Sequence, residues 1–259
     1  MRNSWLSSVG LSALALGCGG SLPPLRGHVE VGTDPFVVFV GGISRAGGDL
    51  YAVPATGGAA IPVTFSAVGE MRPALAPNGG AVAFLRGGSL RDSTPASVWV
   101  MNLLSGAERE IALPREAGGP TRVGWSSDGG ALVIEAGGRL YRSPAPPTEG
   151  EARPVPAAAR AQAESALGVL LGRPAFARVV RCADPADLCV QADTGAPGLL
   201  ARGAAGAARY GDDSVLVLIG RELLVRPLGP GHARRIDWAA LPAAPREPTA
   251  FGGATAEPR

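Results

Sequence analysis

The sequence predicts an all-β protein built from repeated units of four short strands. One observation is a direct repeat: "PALAPNGGAVAFL" (73–85) is echoed by "VGWSSDGGALVIE" (123–135). A second is a longer pattern of extended segments that recurs five times. Internal repeats of this length are typical of repeat architectures and are therefore the strongest evidence for the fold. The third is composition, because 38 Gly and 24 Pro in 259 residues favour many turns over long helices.

The longer pattern begins with a β-rich run and continues with a second strand. The runs are "FVVFV" (36–40), "AVAFL" (81–85), "ALVIE" (131–135), "ARVVR" (177–181) and "VLVLI" (215–219). The second strands are "DLYAVP" (49–54), "SVWVMN" (97–102), "RLYRSP" (139–144), "DLCVQA" (187–192) and "ELLVRP" (222–227). A turn that contains glycine and a further short extended stretch follow each of them. With an innermost strand ahead of the run, each unit is interpreted as strand, turn, strand, loop, strand, turn, strand, and the first unit lacks its innermost strand.

The first strand of this pattern is expected to be buried on both faces. "FVVFV" and "VLVLI" lack the apolar–polar alternation of a sheet with one solvated face. Four-stranded units of roughly 40–50 residues that stack face to face around an axis form a β-propeller. We therefore expect about five blades, with tight hairpin turns at Asn78-Gly79 and Asp128-Gly129. A sixth, degenerate blade in 157–176 stays open.

Ring closure is predicted from the two ends of the repeat region. The first unit lacks an innermost strand, and "REPTAF" (246–251) resembles "MRPALA" (71–76). Pairing of the N- and C-terminal segments would complete the first blade and remove exposed strand edges. The propeller then occupies residues 35–252, and residues 253–259 form a tail.

The N-terminus has the features of an export signal. Arg2 precedes the apolar stretch "WLSSVGLSALALG" (5–17), which is shorter than the roughly 20 residues of a membrane span. "ALGC" (15–18) resembles the lipobox of bacterial lipoproteins. The resemblance implies removal of residues 1–17, acylation of Cys18 and a lipidated tether over 18–34. Gly19 favours the outer membrane, and a plain secretory signal with an incidental cysteine is the alternative.

The repeats themselves resemble a known family. "ALAPNGGAVAFL", "GWSSDGGALVIE" and "VWVMNLLSGAEREI" are similar to the WD40-like repeats of TolB-like periplasmic β-propellers. The similarity is good over residues 35–142 and looser over 143–252. It implies a propeller on the periplasmic side of a bacterial membrane, and it does not specify an activity.

Cys182 and Cys189 form a close pair in "CADPADLC". In an oxidising compartment this spacing predicts a local disulfide, with free thiols or a metal site as the alternatives. Two thiolates do not complete a zinc shell, and the two histidines, His28 and His232, are distant in sequence. We expect no metal and no cofactor.

Catalytic and nucleic-acid-binding patterns are weak. The net charge is +2, and the basic residues form no run of the kind that binds nucleic acid. "ADTGA" (192–196) has no second Asp-Thr-Gly, as an aspartic peptidase requires, and no G-x-S-x-G elbow is present. Asp212-Asp213 is a candidate metal-binding carboxylate pair, but it aligns with the hairpin turn at 127–128, which favours a solvated turn. We therefore expect no enzyme.

Arginines at one position of the repeat are the candidate binding residues. Arg72 and Arg122 occupy equivalent places at the start of an innermost strand, and Arg246 is a third candidate. Such residues would line one mouth of a central channel and favour an anionic group. The alternative is that they are solvated, and Trp99 and Trp125 are expected to pack between blades.

These features together predict an exported, lipid-anchored, monomeric propeller. We expect a non-catalytic interaction module that binds an envelope protein or a cell-wall component with its loops. The alternative is a propeller that binds or hydrolyses a small anionic or carbohydrate ligand in its channel. An accessory role beside a separately encoded enzyme is also compatible with the sequence.

Overall fold

The structure is a computed structural model, and its strands form four-stranded antiparallel sheets. The description covers residues 34–41, 48–66, 68–87, 95–167, 170–171, 177–184, 186–191, 196–210, 214–220, 222–227, 230–239 and 248–254. Within these residues the strands make five four-stranded sheets and one two-stranded sheet. The expectation of an all-β fold is confirmed.

The first sheet is formed early in the chain. Its region contains β1 (Phe36–Gly41), β2 (Asp49–Pro54), β3 (Gly58–Ala59) and β4 (Ile61–Pro62). β2 pairs antiparallel with both β1 and β4, while β3 pairs elsewhere.

The second and third sheets each run through four strands in chain order. The second sheet contains β5 (Glu70–Leu75), β6 (Ala81–Arg86), β7 (Ser97–Asn102) and β8 (Glu108–Ile111). A 3-10 turn (Arg115–Ala117) precedes the third sheet, which contains β9 (Pro120–Trp125), β10 (Ala131–Ala136), β11 (Arg139–Pro144) and β12 (Arg153–Pro154).

A helical segment separates the third sheet from the fourth. It consists of a 3-10 turn (Ala157–Ala159) and α1 (Arg160–Leu167). The fourth sheet contains β13 (Leu170–Leu171), β14 (Ala177–Arg181), β15 (Leu188–Gln191) and β16 (Gly198–Ala201). The fifth contains β17 (Ala204–Tyr210), β18 (Ser214–Ile219), β19 (Glu222–Pro227) and β20 (Arg234–Ile236). The described part of 157–176 therefore builds no further four-stranded sheet.

The last two strands return to the beginning of the chain. β21 (Trp238–Ala239) pairs parallel with β3, and β22 (Pro248–Ala254) pairs antiparallel with β1. The first sheet thus has the order β22-β1-β2-β4, with Phe39 opposite Phe251. The sequence placed the completing strand at 246–251, and the strand observed lies at 248–254.

Central strands bury alternate residues against two different neighbouring sheets. Phe36, Val38 and Val40 pack with residues of the second sheet, whereas Val37 and Phe39 pack with residues of the fifth. None of these five side chains is more than 2% exposed. Burial on both faces is why "FVVFV" is continuously apolar.

The remaining clusters extend this stacking. The second sheet packs on the third, and the fourth packs on the fifth, so the sheets succeed one another as fourth, fifth, first, second, third. The edge strands β17, β22, β5 and β9 lie beside one another in that order. As expected for packing residues, the Trp125 indole donates to the Ala74 carbonyl of the adjacent sheet (2.8 Å), and Trp99 packs into the core between the first and second sheets.

The two hairpin loops of the direct repeat differ from the tight turns that the sequence predicts. Five residues, 76–80, separate β5 from β6, and the Gly79 amide donates to the Ala76 carbonyl (2.8 Å). Gly79 and Gly129 both have φ +70°, whereas neither Asn78 nor Asp128 has a positive φ. Loops of this length are usually built on a type I turn, with the left-handed residue after it.

Asn78 and Asp128 were expected to adopt positive φ angles in the turns, but they stabilise the turns through side-chain hydrogen bonds instead. The Asn78 side-chain oxygen accepts from the Gly80 amide (2.9 Å), and the Asp128 carboxylate accepts from the Gly130 amide (3.0 Å). Local bonds of this kind fix a turn without any left-handed Asn or Asp. The Ser126 hydroxyl and this amide both lower the pKa of Asp128.

Candidate functional site

The sheets have two ends of different construction. At the hairpin end, β5 turns into β6 and β9 turns into β10. The Ala55, Leu103 and Ala145 amides there donate to the carbonyls of Pro35, Gly80 and Gly130, at equivalent places in three sheets. At the opposite end, called the connection end, segments 63–69 and 112–119 carry the chain from one sheet to the next. The chain enters the first sheet at the hairpin end.

Arg72 lies near the connection end on β5, which is an edge strand of the second sheet. Its side chain is exposed, and its φ of +50° is the only positive φ of a non-glycine residue among those described. The pairing of β5 with β6 shifts register between Met71 and Ala74, which places Arg72 in a β-bulge. A left-handed residue before Pro73 is strained by about 1–3 kcal/mol.

Arg122 occupies the equivalent place on β9, but its guanidinium already has partners within the protein. Its guanidinium lies 3.3 Å from the Glu135 carboxylate and donates to the Leu167 carbonyl at the end of α1 (2.6 Å). A cation at a helix C-terminus satisfies an otherwise unpaired carbonyl. Arg122 therefore holds α1 in place, whereas Arg72 has no such contact within the described residues.

Helix α1 packs directly on the third sheet. It lies against β9, β10 and β11, and its Ala163 is buried. A Cβ atom built on Gly124 would lie 2.1 Å from the Ala166 carbonyl oxygen. The absence of a side chain at Gly124 is therefore what allows the helix to approach.

A partly buried ionic cluster centred on Glu70 links the first and second sheets. The Glu70 side chain is 0% exposed, and Arg86 lies 2.6 Å from it and 2.7 Å from Glu108. The Thr64 hydroxyl donates to Glu70 and accepts from the Leu50 amide. The Arg86 guanidinium also stacks 4.4 Å from the Trp99 ring centroid.

The protonation of this cluster is shifted by its surroundings. Burial raises the pKa of Glu70 above 4.5, although the hydrogen bonds from Thr64 and Arg86 act in the opposite direction. Burial lowers the pKa of Arg86, but its bonds to Glu108 and Glu70 outweigh this effect and raise it. Among the described residues Glu70, Arg86, Glu108 and Thr64 each contact another member of the cluster, and Thr64 links it to Leu50 of the first sheet. The sequence offers 22 acidic residues and no signal that pairs Glu70 with Arg86.

Exposed apolar side chains mark both ends of the sheets. Phe65 is 80% exposed and Val68 is 48% exposed, both in the segment that leads from β4 to β5 at the connection end. Leu104 (60%) lies in the β7–β8 turn at the hairpin end, and Leu199 (54%) lies on the edge strand β16. Arg72 is exposed as well and lies towards the connection end, and aromatic and arginine side chains are types that interfaces favour. Sequence reasoning identified Arg72 and missed Phe65.

The two cysteines are joined by a disulfide. The Cα atoms of Cys182 and Cys189 lie 5.2 Å apart across the turn between β14 and β15. The Cys182 amide also donates to the Asp187 carbonyl (3.0 Å), so the bridge closes a local hairpin.

Several predicted features lie outside the described residues. They are the signal segment 1–17, Cys18 with most of the tether, Arg246, Asp193-Thr194-Gly195 and Asp212-Asp213. In the part of the chain that is described, no three His, Cys, Asp or Glu side chains are grouped as metal ligands require. Across the same residues, no helix combines the length and the apolar character needed to cross a membrane.

Comparisons with known proteins give similar folds and no family. No family model matches the chain, and no curated protein matches it. Among solved structures the chain is similar to TolB from Acinetobacter baumannii, with 14% identity and a TM-score of 0.36 over 82% of this chain and 54% of that one.

Two other solved structures are similar at the same level. The β-propeller domain of the Trilobed protease from Pyrococcus furiosus shows 16% identity and a TM-score of 0.33, over 78% of this chain and 67% of that one. The C-terminal WD40 domain of Sif2 shows 16% identity and a TM-score of 0.31, over 70% and 49%. The chain thus spans about half the length of that TolB. At these identities the likeness concerns the fold alone and assigns neither a partner nor an activity.

Proposed function

We propose that this protein is an exported, lipid-anchored β-propeller that binds another protein of the bacterial cell envelope without catalysing a reaction. The five four-stranded sheets are its blades, and the pairing of β22 with β1 closes the ring. Acylated Cys18 anchors it to the outer membrane through the tether that reaches Pro35.

One observation carries the interaction role: the central strands β1, β6 and β18 each bury both of their faces. Because Phe36–Val40 contact the second sheet on one side and the fifth on the other, packing uses up the sheet faces. Recognition is then left to the ends of the sheets, where connecting segments carry exposed side chains. Phe65 and Arg72 at the connection end are the clearest of these.

An affinity isolation from the native envelope tests the proposal. The tagged full-length protein is purified after cross-linking, and bait and partners are identified by mass spectrometry. We expect one specific partner and an acylated N-terminal peptide that begins at Cys18. A bait that retains no protein but is stabilised against heat by small anions or sugars would refute the interaction role and favour the ligand-binding alternative.

A further inference from the structure

We propose that Asn78, in the loop between β5 and β6, is a site of spontaneous deamidation, with water as the co-reactant and aspartate as the product that the native loop accepts. This inference is independent of the proposed function, because it concerns a chemical change of the chain itself. The folded loop blocks the reaction, so the change takes place when residues 76–80 open.

The reaction requires an asparagine side chain that the next backbone nitrogen can reach. The Gly79 nitrogen attacks the side-chain carbonyl carbon of Asn78, an N–C bond forms, and ammonia leaves with the Gly79 amide proton. Water then opens the cyclic imide at the side-chain carbonyl to give aspartate, or at the backbone carbonyl to give an isoaspartyl linkage. Asn78 is exposed, and Asn78-Gly79 is the only Asn-Gly pair in the sequence. Glycine favours the attack because it has no Cβ atom.

The native loop engages both reacting groups. The Gly79 amide donates to the Ala76 carbonyl (2.8 Å), and the Asn78 side-chain oxygen accepts from the Gly80 amide (2.9 Å). An amide held in this way must break its bond before it can lose its proton, as in hydrogen exchange. Deamidation of the folded protein should therefore depend on the opening of this loop.

The third sheet shows that aspartate fits a loop of this kind. At the equivalent place the Asp128 carboxylate accepts from the Gly130 amide (3.0 Å). The Gly129 amide there donates to the Ser126 carbonyl (2.9 Å), as the corresponding amide does in the second sheet. A carboxylate at position 78 can thus take the hydrogen bond that the side-chain amide accepts now.

An isoaspartyl linkage does not fit the loop in the same way. It inserts a further carbon atom into the backbone between positions 78 and 79. On either side of this point the Ala76 amide donates to the Ala81 carbonyl (2.8 Å), and the Leu103 amide donates to the Gly80 carbonyl (2.9 Å). Lengthening a loop that is bonded at both ends disturbs these contacts, so the isoaspartyl form is the destabilised product.

The experiment compares deamidation in the folded and the unfolded chain. The full-length protein is kept at mildly alkaline pH with or without concentrated guanidinium chloride, and digests are analysed by liquid chromatography and mass spectrometry, which separate the three forms of the peptide. Asn102 is the internal control, because it is exposed and its side-chain oxygen accepts from the Leu104 amide (2.9 Å), but the bulky Leu103 follows it. Asp128→Asn places a second Asn-Gly pair in the equivalent loop of the third sheet.

We expect aspartyl and isoaspartyl peptides at Asn78 in the unfolded chain, and formation slower by about tenfold or more in the folded protein. The Asp128→Asn chain should react at position 128 with the same dependence on folding, and Asn102 should react far more slowly than Asn78. Equal rates for Asn78 in the folded and unfolded chains, or equal rates for Asn78 and Asn102, would overturn the inference.

The variant Asn78→Asp tests whether the loop accepts the product. Its melting temperature should lie within about 2 °C of that of the wild type. Hydrogen exchange of the Gly79 amide should also be as slow in this variant as in the wild type. A clearly lower melting temperature with fast exchange at Gly79 would show that aspartate does not fit, and it would overturn the inference while leaving the proposed function intact.

Discussion

At the scale of single residues, the Glu70–Arg86–Glu108 cluster contributes to the stability of the contact between the first and second sheets. Breaking a buried ion pair by removing one member leaves the other charge uncompensated, which costs several kcal/mol. Keeping the hydrogen bonds while removing the charge costs far less. The two effects can be separated at Glu70, whose side chain is 0% exposed.

Substitution of Glu70 by Ala should destabilise the protein more than substitution by Gln. Glu70→Ala leaves the Thr64 hydroxyl and part of the Arg86 guanidinium without an acceptor, so we expect a loss of about 3 kcal/mol. Glu70→Gln keeps an acceptor and should stay within about 1 kcal/mol of the wild type. Urea unfolding at pH 7 measures both free energies. Equal losses would show that the charge, and not the hydrogen bonding, is what the junction needs.

The same residue predicts a pH dependence. Because burial raises the pKa of Glu70 above its unfolded value of 4.5, its contribution is complete below that value and is lost as pH rises through the raised pKa. The wild type should therefore gain stability relative to Glu70→Gln as pH falls from 7 towards 4.5. Urea unfolding of both proteins across this range isolates Glu70, since Glu108 is common to both. A relative loss on acidification would mean that the Arg86 ion pair outweighs burial.

At the scale of elements, α1 depends on its contacts with the third sheet. A helix of eight residues is marginal in water by itself. It is held by the burial of Ala163, by the bond from Arg122 to the Leu167 carbonyl, and by the close approach at Gly124. Its stability is thus tertiary in origin.

A methyl group at Gly124 should displace this helix. The added Cβ atom would lie 2.1 Å from the backbone oxygen of Ala166, so Gly124→Ala should cost about 1–3 kcal/mol. Hydrogen exchange should also become faster at the amides of 163–167. Gly130→Ala is the control, because its Cβ atom would meet only ordinary contacts with the Asp128 side chain at 3.5 Å. Unchanged exchange in Gly124→Ala would contradict the packing described.

At the scale of the whole molecule, β22 ties the C-terminal part of the chain to β1. It pairs with β1 and lies beside β5 and β17, so it contacts three sheets. A strand whose edge is left unpaired invites association with other chains.

Removal of β22 should therefore destabilise the rest of the molecule as well as remove the strand. A chain that ends after residue 247 exposes the edge of β1, and we expect lower cooperativity of thermal unfolding and concentration-dependent aggregation in light scattering. A chain that ends after residue 254 keeps β22 and serves as the control. Identical melting curves for the two truncations would contradict the proposal that β22 closes a ring.

The sequence by itself determined the strands and their order. Each of the five β-rich runs is a central strand of its four-stranded sheet. In β1, β6 and β18 burial on both faces explains the continuous apolar composition of the run. The repeat placed Arg72 and Arg122 at equivalent positions, and the close cysteine pair indicated the disulfide. These signals depend on neighbours along the chain or on a period that can be counted.

Only the tertiary structure decided which partners each of two equivalent residues has. Arg122 is engaged because α1 and Glu135 reach it, whereas the second sheet has Leu85 at the repeat position of Glu135 and no such contact of Arg72 is seen among the described residues. The Glu70 cluster and the exposure of Phe65 likewise depend on segments brought together by the stacking of sheets. The sequence records each residue's chemistry, but the partners of a charge are set by distances in space, which no spacing along the chain encodes.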